Sequence, residues 1–185
     1  MVINLPIILT LIRIALIPLF VVIYYLPYDW AWPLSALIFA LAGITDWLDG
    51  YLARRLGQTS SFGAFLDPVA DKLMVAVALV MLVGEHHSLY LAVPAMIIIG
   101  REIAISALRE WMAEIGRPGS VAVRFIGKVK TTAQIIALLL LLYHHPLLGI
   151  STHLSGLILL NFAAALTLWS MVVYLYAAFH ELKAE

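Results

Sequence analysis

The stretch from Asp46 to Asp71 reads DWLDGYLARRLGQTSSFGAFLDPVAD. It holds four carboxylates, three glycines and two adjacent arginines, in a protein of 185 residues of which only 12% are charged. Apolar runs lie on both sides of it, ALIFALAGIT before and KLMVAVALVMLVG after. Because an ionised carboxylate at membrane depth is expensive and usually functional, this acidic stretch is the candidate active site.

The composition is that of a membrane protein. Hydrophobic residues make up 64% of the chain and the mean hydropathy is +1.02, whereas a soluble domain is about 45–50% apolar. Basic and acidic residues are equal in number, 11 of each, so nucleic-acid binding has no compositional support. The lack of cysteine excludes disulfides, thiolate metal sites and cysteine nucleophiles. No cleavable signal peptide is evident, and we expect the first apolar helix to be retained.

Six apolar segments predict an all-α, polytopic membrane protein with a single catalytic domain over residues 1–185. Each is close to the ~20 residues that a bilayer-crossing helix needs, and together they cover residues 6–26, 33–55, 65–83, 91–113, 125–143 and 153–179. If the N-terminus is cytoplasmic, all 11 bases fall in the cytoplasmic half or its flank. This asymmetry predicts that both termini and the acidic stretch face the cytoplasm.

Two histidine pairs, His86-His87 and His144-His145, lie in connectors on the opposite side of the predicted membrane. Tandem pairs could bind a metal ion, but adjacent residues on a helix point about 100° apart. We therefore favour solvated interfacial histidines over a metal site on this side of the protein.

The acids and small residues of the central stretch share one face on each of two neighbouring helices. On the first helix this face spans about 140° and carries Asp46, Asp49, Gly50, Ala53 and Arg54. On the second it spans about 80° and carries Gly63, Asp67 and Asp71. Because a short connector makes the two helices antiparallel neighbours, we expect the two acidic faces to converge.

Converging carboxylates repel one another unless cations lie between them. Oxygen ligands without His or Cys favour Mg²⁺ or Mn²⁺, with Ca²⁺ less favoured, and paired divalent ions are common in phosphoryl chemistry. The small residues leave room for a bulky ligand, and Arg54 supplies a donor fork for phosphate. The alternative is a set of helix-end charges paired with Arg54, Arg55 and Lys72.

The spacing Asp46-x2-Asp49-Gly50-x2-Ala53-Arg54-x8-Gly63-x3-Asp67-x3-Asp71 matches the signature of the CDP-alcohol phosphotransferase family at all eight fixed positions. The chain resembles that family, which implies its six-helix membrane fold, usually a homodimer, with two divalent cations, Mg²⁺ or Mn²⁺. The resemblance also implies the roles of the residues. The metal ligands would be Asp46, Asp49, Asp67 and Asp71, with Asp71 also the catalytic general base. The CDP contacts would be Asp49, Gly50, Ala53, Arg54, Gly63 and Asp67.

The resemblance extends over nearly the whole chain, in NLPIILTLIRIALIP, TDWLDGYLARR, FGAFLDPVADK, GREIAISALREWMAEIG and VAVRFIGKVKTTAQ. These stretches look like bacterial inner-membrane members that transfer the phosphatidyl group of CDP-diacylglycerol to sn-glycerol 3-phosphate, giving phosphatidylglycerophosphate and CMP. One alternative is another acceptor, as in cardiolipin or phosphatidylinositol-phosphate synthesis. A divalent-cation transporter is a second, but it predicts polar residues across the full membrane depth, and the outer halves of spans 2 to 6 are apolar.

Basic residues in the fourth and fifth spans suggest a site for an acceptor that carries its own phosphate. The candidates are Arg101, Arg109, Lys128 and Lys130. The alternative for these bases is anchoring at the membrane surface and pairing with Glu102, Glu110 and Glu114. On the first span, Thr10 and Arg13 resemble a family element near the nucleotide and the phosphates.

Overall fold

The computed structural model describes the backbone of residues 5–56, 61–116, 124–147 and 149–183, and the side chains of residues 7–45, 63, 65–66, 68–116, 127–147 and 149–180. Within these ranges the chain forms six α-helices. They are α1 (Leu5–Tyr24), α2 (Ala31–Leu56), α3 (Ser61–His86), α4 (Leu89–Glu114), α5 (Arg124–Tyr143) and α6 (Thr152–Lys183). Each predicted apolar segment corresponds to one helix, so the all-α prediction is confirmed.

The helix ends follow local sequence signals. The apolar part of α2 covers Ala31–Thr45, and the helix then continues to Leu56. Gly57, the stop that the sequence predicts for this helix, lies outside the described residues. The hydroxyl of Ser88 caps α4 by accepting a hydrogen bond from the backbone N–H two residues further on. After α4, Gly116 has a φ of +75°, the left-handed conformation that glycine adopts readily.

Three of the described helices are long and apolar enough to cross a membrane. Their apolar segments are Ile7–Tyr24 in α1, Leu89–Glu114 in α4 and Thr152–His180 in α6. The apolar part of α2 is shorter than these. The structure therefore supports a membrane protein, and crossing by all six helices stays a prediction.

The helices pack around one apolar core. α1 lies against α2 and α3, α4 against α3 and α6, and α5 against α2 and α6. Among the fully buried core side chains are Phe20, Leu79, Leu82, Leu138 and Leu160. This arrangement places the first turns of α3 and α5 and the C-terminal half of α4 at the same end of the bundle.

The helices α5 and α6 approach each other closely at Gly156. A Cβ at this position would lie 2.7 Å from Cγ of Leu141 and 3.1 Å from the backbone oxygen of Ala137. Both distances are shorter than ordinary van der Waals contact. The glycine is therefore needed for the close approach of the two helices.

Candidate active site

The four signature acids lie on two helices that contact each other. The first two belong to α2 and the last two to α3. Six signature side chains lie outside the described residues, namely those of Asp46, Asp49, Gly50, Ala53, Arg54 and Asp67. Of the two that are described, Gly63 is buried and Asp71 is exposed. The helical backbone at these positions is confirmed, and the convergence of the acidic side chains stays a prediction.

A cavity of about 390 Å³ opens beside Asp71, between α3, α4 and α5. Its apolar wall includes Val69, Ile98 and Ile135. The polar residues that line it are Asp71, Lys72, Glu102, Lys130, Thr131 and Gln134. The predicted general base and one of the predicted phosphate-binding lysines therefore line the same cavity.

Glu102 joins two of the predicted phosphate-binding bases. Its Oε1 atom lies 2.6 Å from Nη1 of Arg101 and 3.1 Å from Nζ of Lys130. The Lys130 side chain is only 4% exposed, compared with 16% for Arg101 and 29% for Glu102. The buried Nε atom of Arg101 has no hydrogen-bond partner among the described residues. Arg101 and Lys130 are thus held by one carboxylate.

A second, more open depression of about 620 Å³ lies between α4 and α5. Its lining includes the bases Arg101, Lys128 and Lys130, of which Lys128 is exposed. The depression shares Glu102, Lys130 and Thr131 with the Asp71 cavity. The two spaces are therefore neighbours, and both are lined by part of the ion-pair cluster of Arg101, Glu102 and Lys130.

A chain of hydrogen bonds links this cluster to the residue after Asp71. The ammonium group of Lys72 donates to the hydroxyl of Ser106, which donates to the backbone oxygen of Glu102 at 2.6 Å. These contacts tie α3 to α4 one residue away from the predicted general base.

The other predicted phosphate-binding residues lie elsewhere. Arg109 is exposed on α4 and, among the described residues, is outside the linings of both spaces. Thr10 and Arg13 are buried on α1, at 0% and 1% exposure. Each takes part in at least one polar or electrostatic interaction. Burial of a charged guanidinium requires such compensation.

Sequence reasoning treated Glu102 only as a pairing partner and missed its shared position between Arg101 and Lys130. It also missed Ser106 and Gln134. The available signal was an Arg-Glu pair inside an apolar helix, followed one turn later by a serine. The lysine on α5 that completes the cluster is 28 residues away in sequence, so local spacing did not indicate the contact.

A histidine cluster occupies the other end of the bundle. The ring of His86 stacks on that of His144, with centroids 5.3 Å apart, and lies 4.7 Å from that of His153. Trp32 contacts His144 edge-on. Burial lowers the pKa of His86 and of His144, and the neighbouring histidine rings lower it further. His86 and His144 are therefore half-buried in ring contacts rather than solvated as predicted, and no group in the described part of the chain is arranged to hold a metal ion.

Comparison with known proteins identifies relatives over nearly the full length. The family model for CDP-alcohol phosphatidyltransferase matches residues 3–176. A protein of Pectobacterium atrosepticum is 59% identical, covering 97% of this chain and 97% of its own. One of Escherichia coli K12 is 55% identical, covering 95% of this chain and 94% of its own. Both relatives carry the name CDP-diacylglycerol–glycerol-3-phosphate 3-phosphatidyltransferase.

Proposed function

The chain belongs to the CDP-alcohol phosphatidyltransferase family, and we propose that it transfers the phosphatidyl group of CDP-diacylglycerol to sn-glycerol 3-phosphate, with release of CMP. The relatives that carry this name match it at 54–59% identity over nearly the whole chain. The structural observation that carries the proposal is the pair of adjacent spaces in which Asp71 and three bases meet. Asp71 suits the acceptor's hydroxyl, and the bases suit its phosphate.

In the proposed reaction the terminal hydroxyl of glycerol 3-phosphate attacks the lipid-bearing phosphorus of CDP-diacylglycerol. A new P–O bond forms, the bond from that phosphorus to the bridging oxygen breaks, and CMP leaves with the bridging electron pair. Asp71 accepts the hydroxyl proton, a role that its exposed position in the cavity wall allows. As in other phosphoryl transfers, most of the rate enhancement comes from positioning and charge stabilisation.

The acceptor's phosphate is assigned to Arg101, Lys128 and Lys130. Three bases and one carboxylate, Glu102, line the open depression, which leaves an excess of two positive charges. A phosphate dianion neutralises that excess, whereas an uncharged alcohol does not. Arg109 stays a predicted ligand with weaker support, because its exposed side chain lines neither space.

The donor set fits divalent cations of the kind that the family uses. Asp46 and Asp49 are one turn apart on α2, Asp67 and Asp71 are one turn apart on α3, and the two helices contact each other. Carboxylate oxygens without cysteine are ligands that Mg²⁺ or Mn²⁺ prefers. Bound there, two such ions would neutralise the charge of the pyrophosphate.

The nucleotide end of CDP-diacylglycerol is assigned to the signature residues Asp49, Gly50, Ala53, Arg54, Gly63 and Asp67. Of these, Gly63 is described and buried, and its lack of a side chain suits the close approach of a neighbouring group. Thr10 and Arg13, on a helix that packs against both α2 and α3, are additional candidates for phosphate binding.

We place the enzyme in the bacterial cytoplasmic membrane, with both termini and the active site on the cytoplasmic side. The distribution of the 11 bases supports this orientation. A homodimer is expected from the family resemblance. Another acceptor alcohol is not favoured by the relatives' names, and a cation transporter is not favoured by the family assignment.

The test is turnover of the purified protein in detergent micelles with CDP-diacylglycerol, Mg²⁺ and one alcohol at a time. CMP release with sn-glycerol 3-phosphate, together with phosphatidylglycerophosphate by mass spectrometry, is the expected result. No CMP with this acceptor would reject the assignment.

The role of Asp71 is tested by Asp71→Asn, which should lower kcat at least about 100-fold because the general base is lost. Asp29→Asn, an exposed acid in the α1–α2 connector, is the matched control and should retain wild-type turnover. Substantial turnover of Asp71→Asn with intact metal binding would show that another group accepts the proton.

A further inference from the structure

We propose that Glu102 is a positioning residue of the acceptor site, which holds Arg101 and Lys130 in the arrangement that binds the acceptor's phosphate. The inference rests on the proposed function and adds a residue that the family signature does not contain. Glu102 would not touch the phosphate, since two anions repel. It would act through the two bases that its carboxylate contacts.

The first observation is that both bases contact the same carboxylate oxygen. Nη1 of Arg101 and Nζ of Lys130 approach Oε1 of Glu102 at 2.6 and 3.1 Å. Two cations this close to each other in a partly buried site repel unless an anion lies between them. For Lys130, at 4% exposure, water offers little alternative compensation. Glu102 therefore keeps two like charges together at the boundary between the two spaces.

The second observation concerns the direction of the Arg101 guanidinium. Glu102 occupies its Nη1 atom, whereas its buried Nε atom has no hydrogen-bond partner among the described residues. An arginine held at one corner presents its remaining donors in a fixed fork, the geometry that suits phosphate. Glu102 thus fixes the orientation of the Arg101 guanidinium at the edge of the depression.

The third observation is that the backbone of Glu102 is itself fixed. Its carbonyl oxygen accepts from Ser106, and Ser106 accepts from Lys72, the residue after Asp71. The helix that carries the general base is therefore connected to the residue that holds the phosphate-binding bases. This connection fits an acceptor molecule whose hydroxyl and phosphate must be held at a set separation.

The experiment compares Glu102→Gln with the wild type in steady-state kinetics. The amide is similar in shape but carries no charge, so it no longer stabilises the two cations. We expect the KM for sn-glycerol 3-phosphate to rise about tenfold or more, with kcat and the KM for CDP-diacylglycerol changed by less than about threefold. Inorganic phosphate, used as a competitive inhibitor, should lose affinity by a similar factor. Glu110→Gln, an exposed acid on the same helix, is the matched control and should leave all three values unchanged.

A double-mutant cycle separates positioning from a purely structural role. If Glu102 acts through Lys130, then Glu102→Gln should raise the KM much less in a Lys130→Met background than in the wild type. A wild-type or lower KM in Glu102→Gln, or a loss of kcat at unchanged KM, would overturn the inference. If Glu102→Gln does not fold, Lys130→Met and Arg101→Met are compared with their double variant, and KM effects that are simply additive would overturn the inference, because a carboxylate that holds both bases couples them.

Failure of this inference is distinguishable from failure of the proposed function. Wild-type protein that releases no CMP with sn-glycerol 3-phosphate would reject the function itself. Active wild-type protein with an unaffected Glu102→Gln variant would reject only the role of Glu102.

Discussion

Two lysines line the open depression, the buried Lys130 and the exposed Lys128. If the depression binds the acceptor as proposed, the two residues should differ in their effect on acceptor binding. Lys130 is 4% exposed and paired with Glu102, whereas Lys128 is exposed to solvent. A charge-assisted hydrogen bond contributes about 1.5–3 kcal/mol when water is excluded. An exposed ion pair contributes about 0.2–1 kcal/mol. The difference is large enough to separate the two residues by kinetics.

Lys130→Met should therefore raise the KM for sn-glycerol 3-phosphate about 10- to 150-fold, at about 1.4 kcal/mol per tenfold change. Methionine retains much of the length and apolar stem, and Glu102 keeps Arg101 as a partner, so the site should not be left with an unpaired carboxylate. Lys128→Met should raise the KM by no more than about fivefold, and raised salt should reduce its effect by screening the exposed charge.

The assay is CMP release at saturating CDP-diacylglycerol in detergent micelles, with the acceptor concentration varied and the salt concentration fixed. Size-exclusion chromatography of each variant checks that it is folded. The reasoning would be refuted if Lys128→Met raised the KM as much as Lys130→Met, or if Lys130→Met retained the wild-type KM. Either result would mean that burial does not determine which lysine binds the phosphate.

Helix packing, the histidine cluster and the divalent cations lead to three further predictions. Gly156→Ala should lower the unfolding temperature, by the equivalent of about 1–3 kcal/mol, because its Cβ would lie 2.7 Å from Cγ of Leu141. Gly43→Ala, where no described atom lies within 4 Å of the added Cβ, should leave the unfolding temperature unchanged or higher in the same fluorescence melt. Burial lowers the pKa of His86 and His144 from 6.5, so the unfolded state binds more protons than the folded state at acidic pH. The contribution of these two histidines to the free energy of unfolding should therefore be fully present above about pH 6.5 and decrease as the pH falls below that value. His144→Gln should weaken this dependence in melts at pH 5 to 8, and an unchanged profile would exclude the cluster as its source. Chelation with EDTA should abolish CMP release and added Mg²⁺ should restore it, whereas full activity in EDTA would argue against the assigned cations.

The helices were predictable because their determinants are local. Apolar runs and turn-forming connectors define all six segments. The helical placement of the acids was predictable for the same reason, since spacings of three and four residues place side chains about one turn apart. What local spacing did not provide is the distance between separate helices.

The contacts that the sequence did not predict all join separate helices or connectors. The contact between Glu102 and Lys130 joins α4 to α5 across 28 residues. The histidine cluster joins α3, the α5–α6 connector and α6. His86 and His144 were predicted as solvated because each pair was considered alone, whereas tertiary packing turns one member of each pair towards another helix. Charge pairs and ring contacts between distant segments depend on helix packing, which the hydrophobic pattern leaves undetermined.

In the proposed function, the division of charge between the helices allows one small bundle to hold two anionic substrates. The acids of α2 and α3 would bind cations, and those cations would suit the pyrophosphate of the lipid nucleotide. The bases of α4 and α5 suit an anion directly, and Glu102 cancels one of the three charges that line the depression. Without that carboxylate, the buried Lys130 and the adjacent Arg101 would repel each other whenever the acceptor is absent. With it, an excess of two positive charges remains, which matches a phosphate dianion. Selectivity for a phosphorylated alcohol would then arise from a balance of charges on two helices, and the signature acids alone would not determine it.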